Sequence, residues 1–284
     1  MIQEPFKNVR PMNYENYHIQ QVFDLSEISD EMAQEDNQIK NLFWFPNMNI
    51  VNMLVNYCLF QKKQRILEIG PGQTPFPLAD TFVGLDEKQY GFISVNMNYE
   101  PIPFDNRYFD FLYTRHFLED IEFPQFAIQE IIRCCKSGFI ETPSPIIEIM
   151  RGVDAPGKNS HLYCGYSHHH SIIWGDMENN ILHILPKKNT LLQNIIYNEP
   201  LKHKLMHLAN YYPVYWNQYF FWEGENPQVR VYQEDECQDP NNYLSLINEA
   251  ISCSLRNTRI FLERFHSFQE PKIVYLTNNT PVAT

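Results

Sequence analysis

Two carboxylates flank a glycine-rich turn in the first third of the chain, and their spacing suits a nucleoside-like ligand. Glu68 lies within the apolar run 66–69, Gly70 and Gly72 follow it, and Asp86 comes after a second apolar run. Glycine lets a backbone approach a ligand closely, and a carboxylate after the second strand can bind two ribose hydroxyls. We therefore predict a buried strand, a glycine turn, a short helix and a second strand that together hold a nucleoside.

The residue at position 75 distinguishes between two nucleoside cofactors. A dinucleotide site needs the pattern G-x-G-x-x-G, whose third glycine lets the helix start cradle a pyrophosphate. This chain has Pro75 there, and proline lacks an N–H that could bind a phosphate. The Glu68 carboxylate would repel a pyrophosphate but attract the sulfonium and amino groups of S-adenosyl-L-methionine. The residues favour this second cofactor; a turn without a ligand and a nicotinamide cofactor are the alternatives.

Two more motifs follow the glycine turn along the chain. An apolar strand pattern at 111–114 is preceded by PIPFDNRYFD (101–110) and followed by RHFLEDI (115–121). Together with the turn, these motifs resemble the class I S-adenosylmethionine-dependent methyltransferases, in particular the type 11 branch, over residues 65–144. The resemblance implies a Rossmann-like α/β fold with a seven-stranded sheet, mostly parallel, that is closed by an antiparallel pair.

The predicted cofactor-binding residues lie at the carboxyl ends of the first four strands: Glu68, Gly70, Gly72, Asp86, Asn96, Met97 and Thr114. The resemblance implies that the first three contact the methionine end of the cofactor and that Asp86 binds the ribose. The adenine position falls on Asn96 and Met97, or in another register on Asn98 and Tyr99.

Three histidines are the candidate catalytic residues: His116, His168 and His170. Methyl transfer requires an aligned acceptor and often the removal of its proton, and the pKa of histidine lies near neutrality. His116 follows the fourth strand, where parallel α/β sheets bind ligands; a structural role is its alternative. If the segment 168–170 is extended, His168 and His170 share one face and His169 takes the other.

The predicted pair of same-face imidazoles leaves three interpretations open. They could act as base and acceptor ligand without a metal, or bind a divalent cation with Glu141 or His161. They could also form a hydrogen-bonded loop that holds this region together. We assign no metal ligand among the site residues, and a divalent metal stays an open alternative.

Composition narrows the class of acceptor and the compartment. The formal net charge is −12 and the isoelectric point about 5.3, which argues against nucleic acid as a partner. The N-terminus lacks the pattern of a signal peptide, and no apolar run approaches the roughly 20 residues that span a bilayer. The six cysteines are scattered without a C-x-x-C pair. We predict a cytoplasmic protein with reduced thiols and no membrane span.

The chain divides into five predicted segments. A helical extension over 1–62 precedes the cofactor-binding core, 63–145. An insertion between strands five and six, 146–205, carries a hairpin and is expected to form the acceptor pocket. Closing strands and a last helix occupy 206–270, and a flexible tail follows over 271–284.

Within these segments we predict particular elements. A helix from Pro124 through Cys135 is expected to stop at Gly138, and the last amphipathic helix covers 241–265. The closing antiparallel pair is expected at 215–223 and 229–232.

The combined prediction is a methyltransferase that acts on a small-molecule or glycan-like acceptor, at a hydroxyl, with a histidine as base. Two alternatives stay open. One is a protein or peptide methyltransferase. The other is a non-catalytic module, which the short connection between Gly72 and Asp86 and the unusual adenine position favour.

Overall fold

The fold is known from a computed structural model that describes residues 46–72, 74–85, 92–151, 153, 164–192 and 213–268. Asp86, His161 and the tail 271–284 lie outside the described residues, as does most of the predicted N-terminal extension. The described part of that extension is helix α1, Met48–Phe60, whose first turn is capped by the side chain of Asn47.

The main sheet has six strands in the order β3-β2-β1-β4-β5-β8. Its strands are β1 Ile66–Ile69, β2 Thr81–Gly84, β3 Phe92–Ser94, β4 Phe111–Arg115, β5 Ser137–Pro143 and β8 Asn217–Glu223. The first five are parallel, and β8 runs antiparallel beside β5. All residues of β1 and β5 are buried, as expected for strands that are covered on both faces. The predicted Rossmann-like α/β class is confirmed.

A second sheet has three strands in the order β6-β7-β9. The predicted hairpin is confirmed as β6 Ser171–Asp176 and β7 Ile181–Pro186. The expected closing pair is not formed, because β9, Gln228–Val231, leaves β8 and runs parallel to β7. Within the residues that the structure describes, the main sheet therefore has six strands instead of the expected seven. By pairing with β7, β9 covers an edge that would otherwise expose unpaired backbone groups.

The glycine turn leads into a loop in place of the predicted short helix. Residues 74–80 contain a turn and no helical segment, because the connection between β1 and β2 is short and contains three prolines. The backbone N–H of Phe76 in this loop donates to the buried carboxylate of Glu68 over 2.8 Å. The loop is thus anchored to β1.

Two long helices follow their sequence signals closely. Helix α2, Pro124–Cys134, begins with proline at its first turn, and α5, Pro240–Phe265, is capped by Asp239. The expected stop of α2 at Gly138 was wrong, because this glycine lies inside β5. A Cβ atom added at Gly138 would come within 2.3 Å of the Trp222 ring, so the residue is needed for packing across the sheet.

The remaining elements are short. They are α3 Pro145–Ile149, α4 Asn189–Leu192 and the 3-10 turns Leu118–Asp120, Pro213–Trp216, Asp235–Cys237 and His266–Phe268. All six cysteines are buried and free. Among the described helices, none combines the length and the apolar character that crossing a bilayer would need.

Candidate active site

A cavity of about 560 Å³ opens at the carboxyl ends of β1 and β4. One wall is the glycine turn, with Glu68, Gly70 and Gly72. The opposite wall combines His116 with the residues that follow it and with the segment around His168. The volume lies in the range of small-molecule sites, and the cavity joins the predicted cofactor residues to two of the predicted catalytic histidines.

The two glycines of the turn have different surroundings. Gly70 has a φ of +65°, and an added Cβ atom would lie 2.5 Å from the Phe117 ring. At Gly72 an added Cβ atom would meet nothing within 4 Å. Packing therefore accounts for Gly70, whereas the open space beside Gly72 is room that a bound group can fill.

Glu68 supplies a carboxyl group beside that space. It is 3% exposed, and burial raises its pKa to about 7 although the backbone N–H of Phe76 opposes the rise. A cation placed next to this carboxyl would favour its ionised form. The open turn and the adjacent carboxyl group fit the positively charged methionine end of S-adenosylmethionine.

The raised pKa of Glu68 gives a testable pH dependence of stability. The folded protein keeps this proton up to about pH 7, whereas the unfolded chain releases it near the ordinary value of 4.5. The folded state binds more protons in this window, so raising the pH from 5 to 8 is expected to lower the free energy of unfolding by about 3 kcal/mol. Urea unfolding at several pH values measures this change, which the Glu68→Gln variant should lack.

A matched control is Asp110→Asn. Burial of Asp110 raises its pKa, but hydrogen bonds from Lys136 and from the backbone of Arg65 and Gln64 lower it to about 2. Asp110 is therefore ionised in both states between pH 5 and 8, and its variant should keep the pH slope of the wild type. Equal slopes for the wild type and Glu68→Gln would contradict the assignment.

Several predicted cofactor residues are engaged elsewhere. The Thr114 hydroxyl donates to the carbonyl of Ile69 over 3.1 Å and joins β4 to β1. Met97 is 2% exposed and packs in the core, and the Asn96 side chain bonds within its own turn. None of these three side chains lines the cavity. The contacts of Asn96 and Met97 with adenine, of Thr114 with the cofactor and of Asp86 with ribose stay predictions.

His116 lines the cavity in a strained conformation. Its φ is +48°, a left-handed value that is uncommon outside glycine and that clusters at functional sites. Its backbone N–H donates to the carbonyl of Glu141 over 2.9 Å. The strain is therefore held by the neighbouring strand β5.

The hydrogen bonds of His116 fix its tautomer. Asn217 donates from Nδ2 to Glu141 Oε1 over 2.5 Å, which turns its Oδ1 toward His116 Nε2 at 3.0 Å. Nε2 must then carry the proton, by this assignment from the network, and Nδ1 keeps its lone pair. Burial, together with the charge of Arg115, holds the pKa of His116 well below 6.5. The ring is neutral near pH 7 and can accept a proton at Nδ1.

Glu119 is a residue that the sequence analysis did not place in the site. It is 1% exposed and lines the cavity, and neither of its carboxyl oxygens has a hydrogen-bond partner within the described part of the chain. Oε1 lies 3.6 Å from Nδ1 of His116. Burial raises the pKa of Glu119 well above 4.5. A carboxyl group that is buried without a partner is costly and marks a place where a ligand can bind.

The histidine cluster folds differently from the expected extended segment. The chain turns at 167–168, so His168 and His169 come together, with each Nε2 atom 3.6 Å from Oδ1 of Asp120. His170 is exposed and does not line the cavity; its backbone N–H donates to the carbonyl of Glu119 over 2.8 Å. The expected shared face of His168 and His170 was therefore wrong.

A buried network of Glu148 and Lys187 contacts His169 at Nδ1, the ring nitrogen that does not face Asp120. Nδ1 of His169 lies 2.6 Å from Oε1 of Glu148, and the other Glu148 oxygen accepts from Lys187 Nζ over 2.6 Å. Lys187 also donates to the carbonyl of Tyr166 over 2.5 Å. The side chains of His169, Glu148 and Lys187 are at most 5% exposed. Sequence reasoning missed this network because its members come from three distant segments.

Glu141, the carboxylate that was considered as a metal ligand, has other partners. Its Oε1 accepts from Arg115 Nε over 2.8 Å and from Asn217, and the residue is 1% exposed. These contacts engage Oε1 of Glu141 away from the histidine segment and disfavour a divalent cation held by Glu141. The second suggested ligand, His161, lies outside the described residues.

A family model described as "Methyltransferase domain" (Methyltransf_11) matches residues 74–140, about a quarter of the chain. The matched segment contains β2, β3, β4 and the first part of β5, whereas β1 and the glycine turn precede it. The order of the parallel strands is that of a Rossmann-like fold. This part of the chain is similar to a methyltransferase domain. S-adenosyl-L-methionine is the cofactor that this methyltransferase domain implies.

Solved structures similar to this chain share little sequence with it. An S-adenosylmethionine-dependent methyltransferase from Mesorhizobium loti is 18% identical over 30% of this chain and 49% of its own, with a TM-score of 0.26. The YcgJ protein from Bacillus subtilis is 14% identical over 43% and 64%, with a TM-score of 0.31. This chain thus spans about half to two thirds of those two chains.

A third similar structure covers more of both chains. An S-adenosylmethionine-dependent methyltransferase from Clostridium acetobutylicum is 9% identical over 79% of this chain and 86% of its own, with a TM-score of 0.35. Likenesses this weak say nothing of the acceptor. No curated protein matches this chain significantly.

Proposed function

We propose that this methyltransferase methylates a hydroxyl group of a small-molecule or glycan-like acceptor. The observation that carries the proposal is the single cavity that joins the glycine turn to the histidine wall. The cofactor, at the turn, and the acceptor, beside the histidines, would then lie in direct contact. The net charge of −12 favours an uncharged or cationic acceptor over nucleic acid.

The proposed chemistry is an in-line displacement. S-adenosylmethionine supplies a methyl group on a positively charged sulfur; the new C–O bond forms as the C–S bond breaks and its electron pair stays on sulfur. His116 takes the hydroxyl proton at Nδ1, the nitrogen that its hydrogen bond to Asn217 leaves free. Gly72 leaves room for the donor, and Glu68 offsets its positive charge.

The region after β5 is proposed as the acceptor side of the site. Tyr166, His168 and His169 line the cavity, and all three come from the segment 146–205. We keep the proposed division into the extension 1–62, the core 63–145, this insertion and the C-terminal part 206–270. We also keep the proposal of a cytoplasmic location.

The first experiment measures the two substrates separately. Isothermal titration with S-adenosylmethionine tests the donor site, and lack of binding at millimolar ligand would end the proposal. A screen of hydroxylated small molecules and glycans with a labelled methyl donor tests the acceptor; labelling of peptides alone would favour the protein methyltransferase instead.

His116→Ala is expected to lower kcat by about 10²–10⁴-fold and to leave donor affinity unchanged, because the base acts only on the acceptor proton. The wild-type profile of kcat against pH should show a limb that the variant lacks. His266→Ala is the matched control, since His266 is exposed and lies outside the cavity lining. Equal kcat values for His116→Ala and the wild type would exclude His116 as the base that accepts the proton.

A further inference from the structure

We propose that Asp120, His168 and His169 form a binding site for a divalent first-row transition-metal cation at the rim of the cavity. Zn²⁺ and Co²⁺ are the probes for this site. Their ligand atoms, Oδ1 of Asp120 and the two Nε2 atoms, all lie within 4.8 Å of one another. Two imidazoles and one carboxylate are a common ligand set for these cations.

The distances from the two Nε2 atoms to Oδ1 of Asp120 suit a single cation bound by all three side chains. Each Nε2 atom lies 3.6 Å from Asp120 Oδ1. In a tetrahedral site with bonds of about 2.1 Å, ligand atoms are about 3.4 Å apart. Small rotations of His168 and Asp120, whose side chains are 55% and 46% exposed, would complete the geometry.

A second observation comes from the far side of the His169 ring. Its Nδ1 atom lies 2.6 Å from Oε1 of the buried Glu148, which Lys187 holds in turn. A histidine that ligates a metal almost always donates its other N–H to a carboxylate or carbonyl, which orients the ring and fixes the tautomer. Glu148 supplies this partner and leaves the Nε2 lone pair directed at Asp120 and the cavity.

The site also has room for substrate. Three protein ligands leave at least one coordination position of a tetrahedral ion open. Because all three ligands line the cavity, that position is accessible to an acceptor. The unpartnered carboxyl group of Glu119, next to Asp120 in the chain, faces the same space.

The role of the cation rests on the proposed function. A hydroxyl group bound to the open position would become more acidic and would be oriented toward the methyl donor. His116 would accept the proton at Nδ1. The acceptor class is thus narrowed to compounds whose hydroxyl group can ligate a metal.

Metal binding is tested on the full chain without donor or acceptor. The protein is stripped of metal with a chelator, and Zn²⁺ binding is measured by titration calorimetry and equilibrium dialysis. We expect one cation per chain, and a fall in affinity of at least about 100-fold in His168→Ala and in Asp120→Ala, more than is typical for loss of an outer-shell partner. Both side chains are half-exposed, so these variants should fold.

His170→Ala is the matched control, because His170 is the exposed neighbour outside the cavity. It should keep wild-type Zn²⁺ affinity. Co²⁺ spectra should show nitrogen and oxygen ligation without a thiolate band. Absence of stoichiometric binding, a thiolate band, or a loss in His170→Ala in place of His168→Ala would overturn the site.

A further measurement separates the metal site from the proposed function. Methyl transfer is followed with a chelator and after Zn²⁺ is restored, and rescue is expected in the wild type only. A rate of methyl transfer that the chelator leaves unchanged would overturn the role of the cation in acceptor activation. Failure to bind S-adenosylmethionine would overturn the proposed function while stoichiometric Zn²⁺ binding still supported the site.

Discussion

Replacement of Lys187 by methionine is expected to lower the free energy of unfolding by about 3–5 kcal/mol. The Lys187 side chain is fully buried, and its ammonium group donates to Glu148 over 2.6 Å and to the carbonyl of Tyr166. Methionine preserves much of the volume but leaves Glu148, also 1% exposed, without its cation. A buried carboxylate that has lost its counter-charge is among the most destabilising features of a core.

The neighbouring lysine gives a matched control. Lys188 pairs with Glu234 at the surface, where the side chains are 24% and 68% exposed. Lys188→Met should therefore change stability by less than about 1 kcal/mol. In urea unfolding, the double variant Lys187→Met/Glu148→Gln should regain part of the loss, because a neutral amide replaces the uncompensated carboxylate. Similar losses in Lys187→Met and Lys188→Met would contradict the buried network.

The second large effect is expected at the glycine turn. Gly72→Leu should weaken S-adenosylmethionine binding by at least about 100-fold, because the new side chain fills the space that we assign to the donor. The fold itself should be almost unaffected, since an added Cβ atom meets nothing within 4 Å. Titration calorimetry measures the affinity, and thermal unfolding without ligand measures the stability.

Gly70→Ala provides the opposite pattern. Its positive φ and the contact of 2.5 Å with the Phe117 ring should lower the stability of the ligand-free protein. If Gly72→Leu instead unfolds the protein, or binds the donor with wild-type affinity, the space beside Gly72 is not the donor site.

Local signals predicted the elements that depend on neighbouring residues. The amphipathic pattern over 241–265 predicted α5 within one residue of its observed bounds. The hairpin β6–β7 follows from two apolar runs around a polar turn. The parallel pairing of β9 with β7 joins strands that are separated by the whole of β8, and no local pattern encodes such a choice.

The residues of the site also fall into two groups, those that local sequence signals predict and those that only the fold brings together. The glycine turn and His116 were found because each follows a strand directly, and strand ends meet at one edge of the sheet. The arrangement of the histidine segment depends on a turn at 167–168, where the sequence was interpreted as extended. Glu148 and Lys187 are 39 residues apart, and only the folded chain places both beside His169.

The second sheet also determines which parts of the protein can unfold locally together. The backbone N–H of Lys187, directly after β7, donates to the carbonyl of His170 over 2.9 Å, and Thr142 of the main sheet donates to Ile173 in β6. Fraying of the hairpin would therefore displace Lys187 and the histidine wall together. We expect the amide protons of β6 and β7 to exchange with solvent through one shared opening, in which the proposed acceptor side of the site is also lost. The amide protons of the glycine turn should exchange through a separate opening.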